Sequence, residues 1–466
     1  MKKFFEKKLT SIITLIYCCI FSFIYLNIVK YHEAWADEAQ AWLLARDTNI
    51  LELIRAMRYE GSPCLWHLIL KFAIFCGLSY EKIYVIPFIC TIIGIIFLFR
   101  NKNVPWIFKL TIPFTYFIFF QYTVVSRSYC LIFPLLMIIA NIYEEKENKL
   151  LIYGILLFIL MNVSLHCTLL AGGLWLEFGY EVWKKYKIDK KIEKKEKVFL
   201  ILIFLMLLIT VIMVFPSFDC SYNPGSSYNG LEMICEAFYT SNDNLVINLI
   251  GVILVIIIII KMCNKENYFK VISVLLPVYL LNLLVTCGIW HIGILFLLML
   301  FLLIITGSLK KKVIFILFLI SIIIQISWNI YSIMYDINYK YSAGKEISTY
   351  LQEIDYENKT VFAIGFHCVS INTYFEENIF ENYCKAFYTW NNKEVEKSSI
   401  TYILKRLNKE NVDIYIVPDY NIEINYKLID EIEKIGYTKK YFEGKMMAKD
   451  YVADRTGFYV FEKVGE

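Results

Sequence analysis

The chain has 466 residues, 58% of them hydrophobic and only 19% charged, with 35 Phe, 35 Tyr and a mean hydropathy of +0.54. That balance excludes an ordinary water-soluble fold for most of its length, because soluble domains carry about a quarter charged residues. The net charge of +4 comes from lysines gathered in a few short stretches rather than from a basic surface, so nucleic-acid binding is not indicated.

The chain opens with MKKFFEKK and an apolar run that lacks a small-residue cleavage site, so it reads as a retained first span rather than a signal peptide. Apolar runs near the roughly 20 residues needed to cross a bilayer then recur as far as Tyr335. The basic stretches 2–8, 100–102, 146–149, 184–197, 261–270 and 310–312 should all share the cytoplasmic side. They do so only if one run does not cross. The run 63–77 is the one to exclude, being short, opened by Pro63 and carrying His67 and Lys71, which suits an interfacial or re-entrant helix.

Eleven spans remain, at about 10–29, 81–99, 104–122, 129–143, 150–166, 168–183, 198–216, 244–261, 271–289, 291–309 and 313–335. With the N-terminus inside, this odd number places the C-terminus outside the cytoplasmic membrane. From 338 to 466 polar residues return at ordinary density. Strand patterns at 360–365, 412–417, 437–442 and 457–462 alternate there with helical patterns at 345–353, 399–408 and 424–435. The expected architecture is a polytopic α-helical membrane protein, residues 1–337, followed by a small extracytoplasmic α/β domain, residues 338–466. Gly365 follows a strand, but there is no GxGxxG and no P-loop, so nucleotide binding has no support. Tyr374, Phe375, Tyr388 and Trp390 offer aromatic faces to a glycan or simply build that domain's core. The thirteen cysteines form no disulfide or zinc framework; Cys220 with Cys235 and Cys368 with Cys384 are the conceivable pairs, and free thiols are the reading adopted.

The outer face then comprises a long first loop (30–80), the turns near Ser126–Ser128 and His166, the loop with Tyr222-Asn223-Pro224-Gly225, the turn at Trp290-His291 and the C-terminal domain. All five histidines, His32, His67, His166, His291 and His367, fall on that side. The first loop carries an acidic pair, Asp37 and Glu38, flanked by His32, Glu33 and two tryptophans, with Glu60 further on. A helical pattern starts at the pair. One reading needs no function: Asp37 caps that helix and Glu38 favours its positive end, together worth about 1 kcal/mol.

The stretch DEAQAWLLARD (37–47), YEGSPCLWH (59–67) and RSY (127–129) resemble membrane glycosyltransferases of the GT-C superfamily. The likeness, carried mainly by residues 30–180, is to the bacterial branch of glycosyltransferase family 39 and the RgtA/B/C/D-like domain, related to protein O-mannosyltransferases and aminoarabinose transferases. WHIG (290–293) is similar to an RHxG element of that branch, with Trp290 in place of the Arg, and YSAGKEISTYL (341–351) also has its look.

The resemblance implies an enzyme that moves a sugar from a polyprenyl-phosphate donor to a glycan, lipid or protein acceptor outside the membrane, with inversion. Such a reaction needs a base for the acceptor hydroxyl, and Asp37 is assigned to it. Glu38 is left with three roles: orienting Asp37, binding acceptor hydroxyls or taking part in cation binding. Arg127, beside Tyr129, is assigned to the lipid phosphate, against the alternative of an interfacial snorkelling arginine. Arg46, Arg55 and Arg58 offer further cations along an amphipathic stretch whose headgroup-facing side they would equally form. Trp35, Glu60, His67, Tyr129 and His166 complete the expected substrate-binding set, His67 and His166 either touching sugar hydroxyls or satisfying nearby backbone groups. Glu60 with His291 could ligate a divalent cation near the phosphate, against the reading of His291 as a hydrogen-bonded histidine at a helix end. Glu177, in an apolar run, should face the bundle interior. A transporter or flippase of lipid-linked glycans and a non-catalytic scaffold are the competing classes; transport predicts internal repeats and mid-membrane ionisable groups, and no repeat is seen.

Overall fold

The computed structural model describes every residue except 1, 223, 224, 226, 227, 242, 243, 408–410, 420, 421, 450, 454, 455 and 464–466. Asn223 and Pro224 of the expected outer loop, and position 408 of the 399–408 helix pattern, therefore lie outside the described residues. None of the thirteen cysteines is joined in a disulfide.

Long apolar helices dominate. Among the described residues six are long and apolar enough to cross a membrane: Lys8–Tyr31, Tyr80–Arg100, Ser128–Glu145, Lys194–Val214, Leu245–Met262 and Lys312–Asn338. A seventh is made if the pair Trp106–Phe114 and Phe117–Val124, bent by 42°, counts as one span. Four shorter apolar helices accompany them: Leu65–Phe75, Leu150–Met161, Tyr268–Leu284 and Ile289–Ile305. The run 63–77 contains the first of these, an eleven-residue helix of about 16 Å, roughly half the hydrocarbon thickness. The break expected near 167 falls earlier, because the Ser164 hydroxyl accepts from Cys167 N and starts the helix Leu165–Asp189.

Packing divides the chain into two compact units, the first made of 1–27, 84–215 and 224–331, the second of 28–83, 216–223 and 332–466. The sequence boundary at 337/338 kept the first loop with the spans, whereas its packing groups 28–83 with the C-terminal residues.

In the first unit, Ile289–Ile305 is apolar on all sides and buried continuously from Ile292 to Ile304, as such a helix must be. Against it lies the wide-turned helix Phe117–Val124, every residue of it buried. A Cβ at Gly293 would overlap the Tyr122 hydroxyl and the Phe117 ring, so glycine permits this approach. Tyr122 then donates to the Trp290 carbonyl at 2.6 Å and fixes the start of the buried helix.

The second unit holds a four-stranded sheet in the order β1 (Val361–Ala363), β2 (Ile414–Pro418), β6 (Phe458–Lys463) and β3 (Tyr437–Phe442). β1 and β2 are parallel, with Val361 opposite Ile414, and the other pairs are antiparallel. Short strands β4 (Met446–Ala448) and β5 (Tyr451–Ala453), absent from the sequence expectation, form a separate ribbon. Phe362, Tyr415, Val417 and Phe461 from the sheet pack on Ile403, Leu428 and Ile432 from the helices Ile400–Arg406 and Ile422–Lys434. The same unit contains the helices Ala36–Asp47, Ile50–Glu60 and Leu65–Phe75. Asn49 caps the second of these by accepting from Leu51 N and Glu52 N, and left-handed Gly61 ends it beside Glu60.

Candidate functional site

The first turn of Ala36–Asp47 sets the geometry of the acidic pair. The helix begins one residue before Asp37, with Trp35 as its N-cap, so Asp37 is not the cap. Glu38 performs the satisfying contact instead: its Oε2 accepts from Trp35 N at 3.1 Å. It is wholly buried, and the same oxygen lies 3.4 Å from His32 Nε2. His32 Nδ1 in turn lies 3.1 Å from Asp336 Oδ2, and its ring stands 4.5 Å from that of Tyr341. Burial by itself would lower the His32 imidazole; Asp336, then Glu38, more than reverse this and hold it up at about 10. The ring is therefore charged and flanked by two carboxylates.

Asp37, one position along, is half-buried rather than enclosed. Glu60 lies within reach of its field. Burial pushes the Glu60 carboxyl up to about 7, the Gln40 hydrogen bond opposes this and the Asp37 charge adds to it. Gln40 is the organiser here. Its Nε2 donates to Glu60 Oε1 at 2.8 Å and to the Tyr388 carbonyl at 2.6 Å, while its Oε1 accepts from Tyr388 N at 2.9 Å. Burial likewise raises Glu33 to about 7, although Lys345 N donates to it at 2.7 Å.

Trp35 and His67 are both buried, and the Trp35 Nε1 and His67 Nδ1 atoms find no hydrogen-bond partner among the described residues. Burial pushes the His67 imidazole down to about 4, so it stands neutral at ordinary pH. The Trp35 ring faces Tyr341 at 6.4 Å and His367 at 6.2 Å. Of the aromatics expected to meet a glycan, Phe375 and Tyr388 are buried and build the unit's core, while Tyr374 and Trp390 are partly open. Arg46 is occupied by Asp47 at 2.5 Å and by the Phe375 carbonyl at 2.7 Å.

The remaining expected residues assemble in the first unit. The Arg127 guanidinium lies 4.6 Å over the Trp290 ring and 5.2 Å over the Tyr129 ring. Trp290, at the position where the resembled element has Arg, thus supplies a π-face that holds a cation. His291 approaches Tyr129 edge-on at 5.8 Å and stacks on His166 at 4.2 Å. His166 Nε2 meets Asn282 Oδ1 at 2.6 Å, and His291 Nδ1 accepts from Gly288 N at 3.1 Å. Arg127, Tyr129, His166 and His291, drawn from three separate stretches of sequence, are one cluster.

Glu60 and His291, the residues assigned to a divalent cation, belong to different units. Glu60 is engaged by Gln40 and one His291 nitrogen by Gly288. Among the described residues no group of three or more His, Cys, Asp or Glu side chains is placed to hold a metal ion, and no step is derived through one.

Sequence reasoning missed Gln40, Asp336 and Asn282. Each is a polar residue buried to within 4% inside or beside an apolar run, and such a residue in a membrane protein asks for a partner. That is the signal that would have marked them. No protein-family model, curated protein or solved structure matches the chain.

Proposed function

We propose that this protein is a membrane glycosyltransferase that moves a sugar from a polyprenyl-phosphate donor to an extracytoplasmic acceptor with inversion, Asp37 acting as base. The observation that carries the assignment is the contrast within one helical turn. Glu38 is enclosed and committed to Trp35 N and His32, whereas Asp37 stays half-open beside a second carboxyl, Glu60, held near neutrality. A negative neighbour strengthens a carboxylate base. The acceptor oxygen attacks the anomeric carbon opposite the phosphate, its proton passes to Asp37, and the anomeric C–O bond breaks with its electron pair leaving on polyprenyl phosphate. Within the first unit the Arg127 guanidinium is held over the Trp290 and Tyr129 rings, which suits the anion-binding role that the resemblance gives it.

The same reading keeps eleven spans: the six long helices, the bent pair as one, and Leu150–Met161, Leu165–Asp189, Tyr268–Leu284 and Ile289–Ile305. Their basic connections lie in the cytoplasm, and residues 338–466 lie outside.

Purified protein in liposomes, offered radiolabelled polyprenyl-phosphate sugars and a panel of acceptors, tests this. Asp37→Asn should lower transfer by about 10³-fold with thermal stability retained. Wild-type turnover by Asp37→Asn removes the base assignment. Movement of intact donor between leaflets without a glycosylated product would identify a flippase instead.

A further inference from the structure

The buried His32 contact has a role that the acceptor chemistry alone does not call for. Three stretches meet at its ring: the exit of the first long helix, which carries His32 itself; the first turn of Ala36–Asp47, through Glu38 Oε2 at 3.4 Å; and residues 332–338 at the end of Lys312–Asn338, through Asp336 Oδ2 at 3.1 Å. The three side chains are nearly inaccessible, at 4%, 0% and 2% exposure. Glu38 is doubly committed, since the oxygen facing His32 also accepts from Trp35 N. Tyr341 covers the ring, and Thr456 Oγ1 donates to the Tyr341 carbonyl at 2.7 Å, so the cover is itself anchored. A carboxylate this buried holds its place only while its partners do.

We propose that His32 is a positioning residue: held between Glu38 and Asp336, its ring pins the first turn of Ala36–Asp47 to the end of the last long helix and thereby sets where the Asp37 carboxylate stands. Asp37 lies between Ala36 and Glu38, so the backbone from which its carboxylate projects is set once Glu38 and Trp35 N are locked. A base displaced by about 1 Å loses on the order of 100-fold in rate. The groups facing the ring are Glu38, Asp336 and Tyr341, with Glu33 adjacent in sequence.

This inference rests on the assignment of Asp37 as base, and the experiment separates the two. His32→Gln, Asp336→Asn and the double variant are prepared as full-length protein in nanodiscs beside wild type and Asp37→Asn. Transfer kinetics and hydrogen exchange of the amides of residues 36–39 are both measured. Pinning predicts that each single variant loses about 100-fold in kcat with KM for the donor within about threefold, that the double variant loses no more than the worse single, and that first-turn amides exchange faster in all three. Asp37→Asn should lose kcat with first-turn protection unchanged. Wild-type protection of those amides in His32→Gln overturns the proposal whether or not the protein transfers sugar. A change in KM alone, or additive losses in the double variant, overturns it as well. Absence of transfer by wild type with protection lost in the variants would remove the glycosyltransferase reading and leave the pin.

Discussion

Two regions bury carboxylates, and they do so on different terms. In the first unit Lys146 reaches Glu177 at 3.1 Å and Glu181 at 2.8 Å, Lys270 reaches Glu177 at 3.5 Å, and both lysines lie over the Tyr143 ring. Two positive charges meet two negative ones, which is how the bundle interior accommodates Glu177. In the second unit Glu38 and Asp336 share the single cation of His32, while Glu60 has only the neutral Gln40 amide and faces Asp37. The matched set fastens its elements together by direct ion pairs. At Glu60, burial opposed by the neutral Gln40 amide holds the carboxyl up at about 7.

Breaking the complete set should cost most. Lys146→Met leaves Glu181 without a cation and Glu177 with only the more distant Lys270, and should destabilise the protein by about 3 kcal/mol. Thermal unfolding in detergent measures it, and a change within error would mean that water, not Lys146, balances those carboxylates.

Glu60→Gln sharpens the other side of the comparison. Burial holds Glu60 up at about 7, so it becomes anionic above that pH, where on the proposed function its charge would strengthen Asp37 as the base. Transfer by wild type should therefore rise through pH 7 by a few-fold, and Glu60→Gln should lack that step. Stability carries the opposite sign: the raised folded-state pKa makes Glu60 increasingly unfavourable as pH climbs from its unfolded value through about 7, so the Gln variant should gain relative to wild type over that window. An unchanged inflection near 7 in Glu60→Gln would assign it to another group.

The smallest effect tests a cation satisfied by backbone alone. Lys71 Nζ donates to the Ala45 carbonyl at 2.8 Å and to the Thr48 carbonyl, at the C-terminal end of Ala36–Asp47. Lys71→Met should cost about 1 kcal/mol by chemical denaturation and leave transfer within twofold, because it loosens the end of the helix remote from Asp37.

Much of the second unit was legible in the sequence because strand and helix patterns are local. The strand pattern at 437–442 is β3, and the patterns at 345–353, 399–408 and 424–435 fall on the helices Gly344–Glu353, Ile400–Arg406 and Ile422–Lys434. β4 and β5 are three residues each, too short for a period to show. The candidate site was legible only as residue types. Asp37, Glu38 and Glu60 stood out as acids in an apolar setting, and the sequence put the cap at Asp37. The structure starts the helix at Ala36, which makes Trp35 the cap and puts Glu38 at the position able to reach back to Trp35 N.

What the sequence determined by itself is the solvent of each stretch and the kind of element it forms, since hydropathy and periodicity are properties of neighbours within a few turns. Tertiary structure alone decided the partners. His32 and Asp336 are 304 positions apart, Gln40 and Tyr388 are 348 apart, and Arg127 and Trp290 are 163 apart. No local pattern encodes which distant group will balance a buried charge; that follows from how the elements pack, and it is this pairing that makes Glu38 a fastening.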